Sequence, residues 1–228
     1  MNLITSINNK QWINWGESWV SSALNFSSLN PENIIVFTNS EKIIKILKSK
    51  NIQIVYENCD SKIETILAIS KYCQKNSGIY AYWENDSFFQ DSISDVFNLC
   101  PNKFVVSENK DFGFCCANSD LWSLIGKIYN SISFFEDVDF VFNFYKYYEH
   151  LLFYCQNDWD FTNINCLDFK DGLLLCNNKI QKAIRIKDFY KNALFGCNYF
   201  YHERNKPLLN DLKSKKVFSF KVKKNSDY

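Results

Sequence analysis

The sequence predicts an α/β fold in which a mostly parallel central sheet is flanked by helices. Short apolar runs and helical segments alternate four times within about the first ninety residues. The apolar runs are continuous, as is usual for strands of a parallel sheet, which are buried on both faces. The chain has no internal repeat and no obvious linker, so we expect its 228 residues to form a single domain.

The first half of the chain is expected to form four strand and helix units. Trp12, Trp15 and Trp19 recur at helical spacing, so the first helix should be amphipathic. Ser40 and Asp60 are the expected N-caps of the next two helices. The predicted strands span residues 3–7, 34–38 and 52–56, with a fourth beginning at residue 78, and the predicted helices span residues 11–26, 41–50 and 60–72.

The second half is less regular. Ser119 is expected to cap a helix that extends to Ile128, and residues 137–154 carry so many aromatic side chains that they predict a helix buried over a wide face. A short helical turn is expected at residues 93–99. The predicted strands span residues 103–106, 111–117, 162–167, 173–176 and 184–186.

The composition excludes some classes of function. With 26 basic and 25 acidic side chains, the formal charge is +1, which is far from the broad basic excess of nucleic-acid-binding proteins. The nine cysteines form no C-x-x-C pair, and two histidines offer little to a zinc site. We therefore expect reduced thiols and a cytoplasmic protein, without a transmembrane segment because no apolar run is long enough.

The fourth predicted strand runs directly into two acids, Glu84 and Asp86. On extended backbone, side chains two positions apart point to the same face, so the two carboxylates should lie together. Mg²⁺ and Mn²⁺ sites commonly use one or two protein carboxylates together with substrate phosphates. The pair therefore predicts a divalent metal site. The alternative is a strand end that turns into a solvated loop, where acids are common.

Polar residues also follow the first predicted strand. Thr5, Ser6 and Asn8 are expected at the carboxyl edge of the sheet, where ligands of open α/β folds bind. Residues 6–10 contain no glycine, so neither a P-loop nor a dinucleotide-binding loop is present. A phosphorylated ligand would need another group to neutralise it, and a metal on Glu84 and Asp86 would do so.

Taken together, these motifs resemble those of nucleotide-sugar-dependent glycosyltransferases of the GT-A fold, in particular the glycogenin and bacterial lipopolysaccharide galactosyltransferase group. The resemblance extends over residues 3–208. It rests on the polar end of the first strand, on Glu84-Asn85-Asp86 in the place of an Asp-x-Asp, on Asp111-Phe112-Gly113, and on a late His202 followed by Lys206-Pro207.

The resemblance implies roles for individual residues. Glu84, Asp86 and His202 would hold the metal, and Lys206 would assist the leaving diphosphate. Asp111 replaces an asparagine that faces the sugars, and Glu149-His150 resembles an Asp-Gln pair that opens a later helix, so Asp111 and Glu149 are the candidate catalytic residues. Thr5, Ser6 and Asn8 would contact the nucleotide.

The resemblance implies a retaining hexosyltransferase that uses Mn²⁺ or Mg²⁺ and moves a sugar from a UDP-sugar to a glycan, lipid or protein acceptor. Residues 1–91 would bind the nucleotide and residues 92–210 the acceptor. The basic tail, residues 211–228, is a candidate contact with an anionic membrane surface. Two alternatives remain open, namely a catalytically degenerate relative that only binds, prompted by the altered motifs, and an unrelated α/β nucleotide-handling enzyme.

Overall fold

The computed structural model describes residues 1–89, 91–99, 102–107, 113–131, 148–155, 167–170, 173–176, 179–180 and 183–185. Its strands are β1 (Asn2–Ser6), β2 (Ile34–Phe37), β3 (Gln53–Val55), β4 (Ile79–Trp83), β5 (Ser87–Phe89), β6 (Phe104–Ser107), β7 (Phe114–Asn118), β8 (Leu152–Cys155), β9 (Leu167–Lys170), β10 (Leu173–Cys176), β11 (Lys179–Ile180) and β12 (Ala183–Arg185). The α-helices are α1 (Asn9–Gln11), α2 (Glu17–Phe26), α3 (Glu41–Lys48), α4 (Lys62–Cys73) and α5 (Ser119–Ser131). A π-helical turn, Trp12–Gly16, joins α1 to α2, and 3₁₀ turns cover Pro31–Asn33, Ser94–Asn98 and Glu149–Leu151.

Seven strands form the central sheet, in the order β3-β2-β1-β4-β7-β6-β8. Within this sheet, β7 alone of the described strands runs antiparallel to its neighbours, and the other four pairings are parallel. A three-stranded antiparallel sheet (β9 to β11) and the β5–β12 pair complete the described strands. The prediction of an α/β fold with a mostly parallel sheet is confirmed.

Helices cover both faces of the sheet. Neighbouring residues of β1 belong to opposite apolar clusters: Leu3 packs with Trp19 and α3 on one face, and Ile4 packs with α4 and Trp122 on the other. Both tryptophans are fully buried. This two-sided burial explains why the strands are continuously apolar in sequence. Among the described residues, no helix combines the length and the apolar character needed to cross a bilayer.

The predicted helix at residues 137–154 is wrong at its carboxyl end. Residues Glu149–Leu151 form a 3₁₀ turn, and the next four residues are strand β8, which pairs with β6. A short run of aromatic and aliphatic residues suits a buried strand as well as a helix, so periodicity alone does not separate the two. The predicted strand at residues 162–167, apart from its last residue, lies outside the described residues.

Two predicted helix caps are shifted by one residue. Ser61, not Asp60, accepts a hydrogen bond from the Glu64 N–H, and the Glu64 side chain accepts one from the Ser61 N–H, which is a reciprocal capping box. At α5, the Asn118 side chain rather than Ser119 accepts from the Leu121 N–H at 2.9 Å. The first helix also contains the π-helical turn, which the spacing of its tryptophans did not reveal.

Candidate functional site

The carboxyl ends of β1, β2, β3 and β4 meet at one edge of the sheet, because these strands are parallel. Open α/β folds bind ligands at this edge. The segment that follows β4, residues 84–87, is here named the acid turn. It contains both acids of the predicted metal site, Glu84 and Asp86.

The acid turn is a turn and not extended backbone. The Ser87 N–H donates to the Glu84 carbonyl at 3.0 Å, while the Glu84 N–H donates to the Gly113 carbonyl at 2.8 Å. The expectation that extended geometry aligns the two carboxylates on one face is therefore wrong. Asn85 and Asp86 are residues that favour turns, and here they are the two central residues of the turn between β4 and β5.

The acid turn is largely buried. Asp86 is 3% exposed and Asn85 is 8% exposed. The Asn85 amide donates a hydrogen bond of 2.8 Å to the Ser6 carbonyl, so the turn is attached to the end of β1. A solvated loop does not describe this arrangement, because a carboxylate this buried needs specific polar surroundings.

Glu84 is held differently from Asp86. Its carboxylate lies 3.3 Å from the ammonium of Lys62, the first residue of α4, and the two side chains are 21% and 31% exposed. Because α4 begins just beyond the carboxyl end of β3, this contact joins the acid turn to the same edge of the sheet.

The structure places the three predicted nucleotide contacts in different surroundings. Thr5 lies within β1 with no exposed surface, and its hydroxyl has no hydrogen-bond partner among the described residues. The Ser6 hydroxyl is bonded to that of Thr65 at 2.6 Å. Asn8 is half-buried, caps α1, and donates to the Asp60 carboxylate at 3.3 Å. Of the three side chains, that of Asn8 alone keeps part of its surface exposed at this edge.

Glu149, one of the two predicted catalytic residues, does not lie at this edge. Phe153 of β8 pairs with Val105, Val105 pairs with Cys116, and Cys116 pairs with Ala81 of β4, so Phe153 and Ala81 lie at the same height in the sheet. Since β8 and β4 run in the same direction, Glu149 precedes the sheet, whereas Glu84 follows it. The two acids are separated by roughly 20 Å along the strands at about 3.3 Å per residue. Glu149 is therefore not brought to the acid turn, and the match of Glu149-His150 to an Asp-Gln pair stays an untested prediction.

The remaining predicted site residues, Asp111, His202 and Lys206, lie outside the described residues, as does the basic tail. Within the described part of the chain, no three His, Cys, Asp or Glu side chains are grouped so that they could hold a metal ion. The acid turn supplies two carboxylates. Such a donor set fits a Mg²⁺ or Mn²⁺ ion that takes its other ligands from water and substrate phosphates.

Two buried thiols, Cys59 and Cys73, are poorly suited to act as nucleophiles at neutral pH. Burial raises the pKa of Cys59 to about 11, with a hydrogen bond from Thr65 opposing the shift, and burial raises the pKa of Cys73 to about 12. Both thiols therefore stay protonated. They pack in the apolar layer between α4 and the sheet, as expected for reduced cysteines.

Sequence patterns gave no indication of two residues at this edge, Lys62 and Asn85. A lysine at the first position of a helix is unremarkable, and the middle residue of an acid-x-acid motif is not constrained by the motif itself. Both are recognised only through contacts with distant parts of the chain, since Asn85 and Ser6 are 79 positions apart.

Comparisons with known proteins define the fold class. The sequence matches no protein-family model and no curated protein. Its structure is similar to that of the galactosyltransferase LgtC in complex with donor and acceptor sugar analogues, with a TM-score of 0.56 and 12% identity over 96% of this chain and 100% of that chain. The chain has a GT-A glycosyltransferase fold.

Two further solved structures are similar in fold. The apo form of the glycosyltransferase GlyE from Streptococcus pneumoniae has a TM-score of 0.56 and 10% identity over 95% of this chain, which spans 63% of GlyE. A cytidylyltransferase from Leptospira borgpetersenii has a TM-score of 0.51 and 15% identity over 100% of this chain and 98% of that chain. Identities this low establish the fold and not the activity.

Proposed function

We propose that the protein is a glycosyltransferase that binds a nucleoside-diphosphate sugar, UDP-linked, at the edge of the sheet around the acid turn. The observation that carries this proposal is the position of Asp86, a buried carboxylate in a turn attached to the end of β1. In a GT-A fold, this is the edge where the polar ends of the parallel strands gather.

Asp86 would be the principal protein ligand of a Mn²⁺ or Mg²⁺ ion, with Glu84 next to it. When bound, the ion would act as a Lewis acid on the leaving diphosphate. Asn85 would keep the Asp86 carboxylate in place through its bond to β1. Asn8, which is half-buried beside Asp60, would contact the nucleoside.

The resemblance supports a further part of the proposal. Asp111 stays a candidate contact with the sugar, and His202 and Lys206 stay candidate contacts with the metal and the diphosphate. The same resemblance leads us to propose that the reaction retains the configuration of the sugar, that the acceptor is a glycan, lipid or protein, and that the protein is cytoplasmic. The contact between Glu84 N–H and the Gly113 carbonyl brings the start of β7 to the acid turn, so Gly113 itself lies near the proposed ligand.

A second candidate function is nucleotidyl transfer, favoured by the similarity to the cytidylyltransferase over nearly the whole of both chains. The absence of glycine in residues 6–10, just after β1, argues against nucleotidyl transfer, since a loop whose backbone N–H groups bind a triphosphate usually needs glycine. The two functions differ in the bond that is broken. Glycosyl transfer releases a nucleoside diphosphate, whereas nucleotidyl transfer releases pyrophosphate.

Isothermal titration of UDP with and without Mn²⁺ tests the proposal, followed by incubation with a panel of UDP-sugars. We expect UDP to bind in a metal-dependent manner and UDP to be released slowly from one of the UDP-sugars by hydrolysis. Metal-dependent binding without release from any donor indicates a degenerate binding protein. Absence of metal-dependent UDP binding, or pyrophosphate release from CTP with a sugar phosphate, contradicts the proposal.

A further inference from the structure

Lys62 is a positive charge in direct contact with the acid turn. Its ammonium lies 3.3 Å from the Glu84 carboxylate, and both side chains keep some exposure to solvent. The contact therefore lies at the surface of the edge, where a ligand can reach both groups. Because both side chains keep contact with solvent, water screens the pair and a ligand can compete for either partner.

The two backbone N–H groups just before α4, those of Asp60 and Ser61, are already engaged. Ser61 caps the helix, and the Glu64 carboxylate accepts hydrogen bonds from the N–H groups of Asp60 and Ser61 at 2.7 and 2.9 Å. An anion that approaches this end of the helix therefore finds these two amides occupied, while the Lys62 side chain offers it a positive charge.

The charges of the site explain why a lysine is useful here. The carboxylates of Glu84 and Asp86 offset much of the charge of a divalent cation, so the cation alone would neutralise a diphosphate only in part. The Lys62 ammonium supplies a further positive charge. Lysine is a common phosphate ligand and acts as a compact point charge.

We propose that Lys62 binds the diphosphate of the donor and that Glu84 is its partner while the site is empty. This inference rests on the proposed function. When the donor and its cation bind, Lys62 would move from Glu84 to the diphosphate, and Glu84 would turn to the cation. Lys62 thus balances the acid turn in the free protein and recognises the ligand in the complex.

The variant Lys62→Met tests this exchange, with Lys71→Met as a matched control. Lys71 is on the same helix and pairs with Glu57, also at 3.3 Å, but it lies farther along α4 and is more exposed. Two affinities are measured by calorimetry: UDP in saturating Mn²⁺, and Mn²⁺ alone. Uridine, which carries no phosphate, is titrated in parallel, and melting curves establish that each variant is folded.

We expect Lys62→Met to weaken UDP binding about tenfold or more, as for loss of a charged hydrogen bond, and to leave uridine binding unchanged. Mn²⁺ alone should bind several-fold more tightly, because the positive charge of Lys62 no longer competes for Glu84. Lys71→Met should change neither affinity, and Lys62→Arg should recover part of the UDP affinity.

Two results separate this inference from the proposed function. If the unchanged protein binds UDP with Mn²⁺ and Lys62→Met binds it equally well, the role of Lys62 is refuted while the proposed function stands. If the unchanged protein shows no metal-dependent UDP binding, the proposed function fails and the inference fails with it. A drop in uridine affinity equal to the drop in UDP affinity would also overturn it, since that indicates general damage to the site.

Discussion

At the scale of single residues, Asn85 connects two parts of the candidate site. Its side-chain amide donates to the Ser6 carbonyl at 2.8 Å, in a buried setting, and its backbone belongs to the turn that carries Asp86. A hydrogen bond in such a setting holds a turn more firmly than an exposed one, because water cannot replace it without cost.

We predict that Asn85→Ala lowers the free energy of unfolding by about 1–3 kcal/mol, as for loss of a buried hydrogen bond. It should also weaken Mn²⁺-dependent UDP binding, because the Asp86 carboxylate is less firmly placed. Urea unfolding and calorimetry measure the two effects. Asn58→Ala is the control, since it removes an exposed hydrogen bond of the same length, 2.8 Å, from the Asn58 amide to the Asp60 carboxylate. Equal losses in the two variants would contradict the prediction.

The sequence allowed only part of the site to be predicted. Asp86 could be found because it lies in the turn just after an apolar strand, and the position of a strand end is a local property. Lys62 could not, because its partner Glu84 is reached only after α4 and β4 have folded back along the sheet. Glu149 was assigned by resemblance alone, and the register of β8 places it at the opposite edge.

At the scale of elements, helices α4 and α5 pack closely where Gly126 meets Ser70. The Gly126 N–H donates to the Ser70 hydroxyl at 3.0 Å, and a Cβ added to Gly126 would lie 2.6 Å from that hydroxyl oxygen. The lack of a side chain at residue 126 is thus what lets the two helices approach here. The α4 helix carries Lys62 at its other end, so this contact also supports the site.

We predict that Gly126→Ala destabilises the protein by about 1–2 kcal/mol, because overpacking outweighs the better helix propensity of alanine. In the double variant Gly126→Ala with Ser70→Ala, the clash is relieved. The two changes should then couple favourably by at least about 0.5 kcal/mol in a double-mutant cycle measured by urea unfolding. Strict additivity would show that the helices adjust freely and that the close approach has no energetic importance.

Elements differ in how far the sequence determines them. Strands β1, β2 and β4 were predicted because both of their faces are apolar, and the helices between them because of their periodicity. The order of the strands was not predictable in the second half: β7 lies between β4 and β6 and runs antiparallel to both. The local sequence of β7 does not determine its neighbours in the sheet, because strand order depends on how distant parts of the chain pack together.

At the scale of the whole molecule, the topology determines which residues can act together. The parallel strands bring Asn8, Lys62 and the acid turn to one edge, although they are distant in sequence. The same topology removes Glu149 from that edge. The fold is shared by glycosyltransferases and by a cytidylyltransferase, so the identity of the ligand must be decided at the edge itself.

The most direct measurement of the central claim is the Mn²⁺ dependence of UDP affinity in Asp86→Asn. The substitution keeps the shape of the side chain and removes its charge. The control is Asp91→Asn, at an exposed acid five positions further along the chain. We predict that Asp86→Asn binds UDP no better with Mn²⁺ than without it, while Asp91→Asn behaves as the unchanged protein does. Full Mn²⁺-dependent affinity in a folded Asp86→Asn protein would contradict the account.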